Sequence, residues 1–75
     1  MLQTHTGRVT YYGANVRIQS RGTGMDGAQV VQQANPLTGG WIDDRAFYES
    51  NDYCYSESKS YASALAATLW SKGSH

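Results

Sequence analysis

The sequence predicts an α+β fold: a small antiparallel sheet of four to five strands, built as two hairpins, with one C-terminal α-helix packed across one face. Residues 8–55 alternate between apolar and polar types in short segments bounded by Gly, Asn and Asp, which is typical of hairpins. From Tyr61 onward the apolar residues recur at helical spacing instead. A chain of 75 residues suits one domain, so residues 1–75 are expected to fold as a single unit.

The first hairpin is predicted to begin at Arg8. Val9 and Tyr11 alternate with polar neighbours, residues 13–15 offer turn chemistry, and a second alternating segment follows them. Because strand side chains alternate between faces, Val9 and Tyr11 are expected to point towards the core. Arg8 and Tyr12 are then expected to share the opposite face.

The middle of the chain contains one ambiguous element between two turns. Residues 22–27 are too rich in glycine for regular structure, and residues 35–40 combine Asn-Pro with Gly-Gly. Residues 28–34 lie between them, with paired valines that favour a strand and Ala and Gln that favour a helix. The prediction is a strand, because a helix of two turns is marginal on its own; the short helix is the alternative.

A second, aromatic hairpin is predicted over residues 45–55. Its first strand is Arg45–Glu49, its turn is residues 50–52, and its second strand is residues 53–55. Aromatic side chains favour such a half-buried pleated surface. Cys54 is expected to lie in the second strand as a small buried side chain.

The C-terminal helix is the clearest element of the sequence. Ser56 is predicted to be its N-cap, and Glu57 gives the first turn a favourable negative charge. Lys72 and Gly73 suit its end. The predicted core face consists of Tyr61, Ala62, Leu65, Ala66 and Leu69. The opposite face has small side chains, at Ser60, Ala64, Ala67 and Ser71.

Composition limits how a domain of this size is stabilised. The single cysteine leaves no internal disulfide, and the two histidines, His5 and His75, lie at opposite ends, so no metal site is expected. Association with another chain is the remaining means of stabilising a small core, which predicts a homo-oligomer or a tightly held partner. The sequence shows no signal peptide and no membrane span, which together with the lone thiol indicates an intracellular protein.

No catalytic or cofactor-binding group is predicted. Gly22–Gly27 matches the G-x-G-x-x-G dinucleotide fingerprint in letters, but the segment after it is too short for the crossover that such a site requires. Asp43 and Asp44 are expected to point to opposite faces of a strand, so they do not form an acid–base pair. A nucleotide-binding enzyme subunit that uses the Gly22–Gly27 loop is kept as an alternative.

The leading functional hypothesis is a non-enzymatic protein that occupies the surface of a partner protein, as an inhibitor or adaptor. The charge is zero overall but uneven along the chain, with +3 over residues 1–25 and −5 over residues 26–58. Aromatic residues lie among the acids, and this combination suits a basic or nucleic-acid-binding partner. The predicted contact residues are Trp41, Asp43, Asp44, Tyr48, Glu49, Asp52 and Tyr53. In size and style the chain is similar to inhibitors from phages and mobile elements, such as anti-CRISPR proteins.

The second hypothesis is a nucleic-acid-binding module built on the first hairpin. Tyrosines can stack on bases while arginines hold phosphates. The candidate residues are Arg8, Tyr12, Arg17 and Arg21. Nucleic acid is the less favoured partner, because the net charge of zero argues against affinity gained by neutralising phosphates.

Overall fold

The computed structural model describes residues 8–22 and 27–73. Four strands form one antiparallel sheet in the order β1-β2-β3-β4, and a single helix follows them in the described part of the chain. The elements are β1 (Val9–Tyr11), β2 (Val16–Arg21), β3 (Ala28–Ala34), β4 (Trp41–Tyr48) and α1 (Cys54–Gly73). The predicted α+β fold is confirmed, with four strands.

The helix packs on one face of the sheet, which we call the helix face. Val16 and Ile18 of β2 are buried there, and Val31 of β3 lies opposite Ile18. Ala62 of the helix completes this fully buried cluster. The partly buried side chains packed around it are Tyr12, Phe47, Tyr61, Leu65, Ala66 and Leu69. The predicted core face of the helix is therefore confirmed, although Leu65 and Leu69 are half-buried rather than fully buried.

The predicted orientation of β1 is wrong. Thr10 of β1 lies opposite Ile18, so Thr10 is on the helix face and its neighbours Val9 and Tyr11 point away from the helix. Tyr11 is 60 % exposed, whereas Tyr12 packs against the core. The sequence predicts the alternation correctly but the wrong face for it, because Tyr12, directly after the strand, gives the helix face an aromatic side chain of its own.

Residues 28–34 form a strand, as predicted, and a turn over residues 35–40 returns the chain into β4. The Asn35 amide donates to the Gly40 carbonyl at 2.8 Å, and the Gly39 amide donates to the Asn35 carbonyl at 2.8 Å. Gly39 has a φ of +77°, which glycine adopts without steric cost. The pairing of β3 with β4 is irregular between Val31 and Gln32, and the extra residue in β4 is Asp44.

The second predicted hairpin is wrong in its second half. β4 is a single strand, and residues 54 and 55 belong to the first turn of α1 instead of a fifth strand. The reason is tertiary: Ser58 and Cys54 are both buried, one and two helical turns before Ala62 respectively, so a helix extends the buried stripe. The prediction that Cys54 is buried is confirmed, since it is 1 % exposed.

The helix therefore begins before Ser56, and the predicted Ser56 cap is wrong. Asn51 occupies the turn in front of the helix. Its side-chain Oδ1 accepts a hydrogen bond from the Tyr53 amide at 2.8 Å, and its carbonyl accepts one from the Cys54 amide at 3.0 Å. Ser56 lies within the first turn, where its hydroxyl donates to the Tyr53 carbonyl at 3.2 Å.

Candidate binding face

The helix leaves the other side of the sheet without a covering layer in the described part of the chain. We call this side the open face. Antiparallel partners lie on the same face of a sheet, so the register assigns its residues. They are Val9, Tyr11, Arg17, Gln19, Arg21, Ala28, Val30, Gln32, Ala34, Trp41, Asp43, Ala46 and Tyr48.

An aromatic and arginine cluster occupies one end of the open face. The Arg17 guanidinium carbon lies 4.4 Å from the Trp41 ring centroid, within the range of a cation–π contact. The Tyr11 ring lies 5.9 Å from the Trp41 ring at an interplanar angle of 60°. Three different strands supply these side chains. Tyr11 and Trp41 are far apart in sequence and lie on the two edge strands, so the sequence alone does not show that their rings are close.

A hydrogen-bonded network crosses the centre of the open face. Arg17 Nε donates to Gln32 Oε1 at 2.6 Å, and Gln32 Nε2 donates to Asp43 Oδ1 at 2.8 Å. Arg21 then binds both oxygens of Asp43, through Nη1 at 2.9 Å and Nη2 at 2.8 Å. Arg21 Nε also donates to Gln19 Oε1 at 2.8 Å. The network joins long polar side chains across three strands.

The network also sets the electrostatics of the face. The hydrogen bonds from Arg21 and then from Gln32 lower the pKa of Asp43, and the Asp43 carboxylate raises the pKa of Arg21. Both side chains are about half exposed, so water screens the pair. With Arg17 the face holds two cations and one anion, which leaves a single net positive charge.

A shallow groove runs along the other end of the open face. Its volume is about 390 Å³. It reaches the β4 edge, and its lining residues are Arg21, Ala28, Val30, Asp43, Asp44, Arg45, Ala46 and Tyr48. Val30 and Ala28 are buried, while Tyr48 is 57 % exposed. The open face thus has an exposed tyrosine at each end, Tyr11 and Tyr48, with the polar network between them.

The structure divides the predicted partner-binding residues among three places. Trp41, Asp43 and Tyr48 lie on the open face. Asp44 lies on the helix face, where it accepts hydrogen bonds from Gln33 at 2.8 Å and from the Tyr61 hydroxyl. The contact with Asp44 raises the pKa of Tyr61. The two neighbouring aspartates therefore point to opposite faces, as predicted.

The remaining members of that set lie at the turn between β4 and α1. Glu49 Oε2 accepts hydrogen bonds from Gln29 Nε2 at 3.1 Å and from the Tyr55 hydroxyl at 2.8 Å. Tyr53 and Asp52 are exposed in the turn. Tyr48 directly precedes this turn in the sequence, but Trp41 lies at the opposite end of β4. The predicted contact residues therefore do not form one patch.

The alternative nucleic-acid residues are divided between the two faces. Arg17 and Arg21 belong to the open face, whereas Arg8 and Tyr12 line a cleft on the helix face together with Lys59. Tyr12 also borders a cleft of about 540 Å³ that Ala66, Leu69 and Trp70 line at the end of the helix. The open face pairs the two arginines with Tyr11 rather than with Tyr12.

Among the described residues, the groups considered for catalysis and metal binding do not converge. Within residues 8–22 and 27–73 no three His, Cys, Asp or Glu side chains could hold a metal ion. His5, His75 and most of the Gly22–Gly27 loop lie outside the described residues. Burial, followed by the charges of Glu49 and Glu57, raises the pKa of the Cys54 thiol, which disfavours its nucleophilic form.

Sequence reasoning missed two residues of the open face, Tyr11 and Gln32. The sequence pattern predicts Tyr11 in the core. The first five residues of β3, which include Gln32, are all buried. The strand therefore has no alternation of buried and exposed positions that would assign Gln32 to one face. Its position between Arg17 and Asp43 follows only from the pairing of β3 with both of its neighbours.

Comparison of the chain with protein-family models, curated proteins and solved structures finds no match. In the part of the chain that the structure describes, no helix has the length and apolar character needed to cross a membrane.

Proposed function

We propose that this protein is a non-enzymatic binding protein that takes a partner protein on its open face and acts as an inhibitor or adaptor. The observation that supports this most is the side-chain composition of the face. Tyr11, Trp41 and Tyr48 lie along one surface with Arg17, and tyrosine, tryptophan and arginine are the residues that dominate protein interfaces energetically.

The hydrogen-bonded network favours a protein partner over a polyanion. Arg21 is bound to Asp43, and the Arg17 side chain donates to Gln32. A protein binds a polyanion such as a nucleic acid mainly by neutralising its phosphates, and this face carries only one net positive charge. A protein partner instead profits from a surface whose polar side chains are already hydrogen-bonded, since fewer side chains lose freedom on binding.

The centre of the contact lies between Trp41 and Tyr48, away from the turn that carries Glu49 and Asp52. Asp43 contributes by holding Arg21 and Gln32 in position rather than as a free negative charge. Glu49, Asp52 and Tyr53 lie outside this contact, in the turn between β4 and α1.

Affinity capture with matched variants tests the proposal. The double variant Tyr11→Ser/Tyr48→Ser removes the exposed ring at each end of the open face. Tyr53→Ser is the control, because Tyr53 is 67 % exposed outside that face. From nuclease-treated lysate of the native host, wild type and Tyr53→Ser should capture the same protein, and the double variant should lose it. Equal capture by all three would contradict the proposal.

Single-stranded nucleic acid is the second candidate ligand, on one specific observation. The Arg17 guanidinium covers the Trp41 ring beside Tyr11, and guanidinium planes and aromatic rings both stack on nucleobases. In the variant Trp70→Phe, Trp41 is the remaining tryptophan of the two in the chain, so it reports on this end of the face. Quenching of its fluorescence by an oligothymidylate, with a steep salt dependence, would favour this candidate; an unchanged spectrum would exclude it.

A further inference from the structure

β4 gives the sheet one long edge. It contains eight residues, whereas β1 at the other edge contains three. In the described part of the chain no strand pairs with the outer side of β4. The backbone N–H and C=O groups on that side form a template for another strand.

Charged side chains often protect such an edge, but those of β4 are drawn back over the sheet. Asp43 reaches across β3 to Arg21 of β2. Asp44 binds Gln33 of β3 and Tyr61 of the helix. The Arg45 guanidinium lies 5.4 Å from the Tyr61 ring centroid. These contacts hold the charges above and below the sheet and leave the backbone edge accessible.

The extra residue in β4 gives this strand a symmetric distribution of side chains. On the open face are Trp41, Asp43, Ala46 and Tyr48. On the helix face are Ile42, Asp44, Arg45 and Phe47. Because Asp44 is the extra residue, Asp44 and Arg45 are neighbours on the same face. The order of faces along β4 is therefore the same in both chain directions, and its centre is the Asp44–Arg45 peptide bond.

We propose that a second copy of this chain pairs antiparallel with β4. The two-fold axis passes between the Asp44–Arg45 peptide bonds of the two copies. This pairing joins two four-stranded sheets into one continuous sheet. Each cross-strand pair then lies on one face. Asp44 of one copy faces Arg45 of the other, twice by symmetry. Ile42 faces Phe47, and Trp41 faces Tyr48.

Neighbouring registers are unfavourable for the same residues. A shift by one residue in one direction places Asp44 opposite its own copy, and in the other direction places Arg45 opposite its own copy. Directly opposed like charges destabilise a strand pair. Each of these shifts also pairs open-face residues with helix-face residues. The sequence of β4 therefore selects one register.

The pairing also covers apolar side chains that the monomer exposes. Ile42 and Tyr48 are 51 % and 57 % exposed, and each gains a large apolar neighbour on its own face. Cross-strand aromatic and aliphatic pairs stabilise a sheet. The dimer extends the open face across both copies. The dimer itself does not depend on the proposed function, because pairing of the β4 edges needs no partner protein.

Charge reversal at the centre of the pairing tests the proposal. Sedimentation equilibrium over a micromolar concentration series should show a monomer–dimer equilibrium for the wild type. Asp44→Arg places four cations at the centre of the dimer and Arg45→Asp places four anions there, so each variant alone should be monomeric. An equimolar mixture of the two variants should dimerise again, because arginines then face aspartates. Lys59→Glu, a charge reversal on an exposed helix residue, is the control and should dimerise like wild type.

A monomeric wild type over the whole series would overturn the proposal, as would variants that dimerise unchanged or a mixture that stays monomeric. Circular dichroism establishes that each variant is folded. If either is unfolded, hydrogen exchange of the wild type decides instead. The amides of β4 should become more protected as protein concentration rises, while those of β1 should not. Protection confined to β1 or to the helix would place the contact elsewhere.

Discussion

At the scale of single residues, Asp43 links the folding of the open face to pH. Hydrogen bonds from Arg21 and Gln32 lower its pKa from the ordinary value of 3.8. A carboxyl group with a lower pKa in the folded chain stabilises the fold above its unfolded pKa, and this stabilisation is lost as pH falls through the folded pKa. The pair is half exposed, so we expect a contribution of about 0.2–1 kcal/mol near neutral pH.

Replacing the carboxylate by an amide measures this contribution. In urea denaturation near neutral pH, Asp43→Asn should have a lower free energy of unfolding than wild type. The difference should shrink as pH falls below about 4, the ordinary pKa of an unfolded aspartate, and should vanish once the pH lies below the lowered pKa of Asp43 in the folded chain. Asp52→Asn, a change of an exposed carboxylate in the β4–α1 turn, is the control. A difference that stays constant from neutral to acidic pH would contradict a role of the Asp43 charge.

At the scale of elements, the start of α1 depends on Asn51. Its Oδ1 accepts a hydrogen bond from the Tyr53 amide, which the helix itself cannot satisfy. We therefore expect Asn51→Ala to lower the free energy of unfolding by about 1 kcal/mol. Ser56→Ala should be nearly neutral, because Ser56 lies inside the first turn and is exposed. Urea denaturation of both variants checks this, and a larger loss for Ser56→Ala would restore the later start of the helix.

The sheet-facing side of the helix gives the second prediction at this scale. Leu65 is half-buried and packs against the core cluster. Leu65→Ala should cost about 2 kcal/mol, the lower end of the range for truncation of a large apolar side chain. Ser63→Ala, on an exposed position of the same helix, should leave the free energy of unfolding almost unchanged. Similar stability of the Leu65 variant and wild type would mean that the leucine contributes little to the core.

The elements differ in how far the sequence predicts them, for physical reasons. The helical face from Tyr61 to Leu69 is confirmed because its apolar spacing is set locally. The first turn of the helix differs from the prediction because burial of Cys54 suits a strand as well as a helix, and only the folded chain shows that Cys54 continues the buried stripe of Ser58 and Ala62. Tyr53 and Tyr55 have strand propensity, but they lie at exposed positions, where propensity does not outweigh the burial of their neighbours.

At the scale of the whole molecule, the fold class followed from the sequence but the candidate site did not. The open face combines side chains from four strands, and its network joins Arg17 to Gln32 and Asp43, which are far apart in sequence. Such a face depends on the register of every strand pair. A wrong orientation of β1 alone is enough to place the exposed ring of Tyr11 in the core. The charge pattern likewise grouped Asp43 with Asp44, although the strand sends them to opposite faces.

The last prediction concerns the stability of the whole molecule. The fully buried apolar cluster contains Val16, Ile18, Val31 and Ala62, a small core for one domain, and pairing through β4 would add to it. Because association favours only the folded chain, the urea midpoint should rise with protein concentration. For Arg45→Asp the midpoint should stay constant. The slope of the free energy against urea should be similar for both proteins at low concentration, since it reflects the surface exposed when one chain unfolds. A wild-type midpoint independent of concentration would show that the monomer is stabilised by its own core alone.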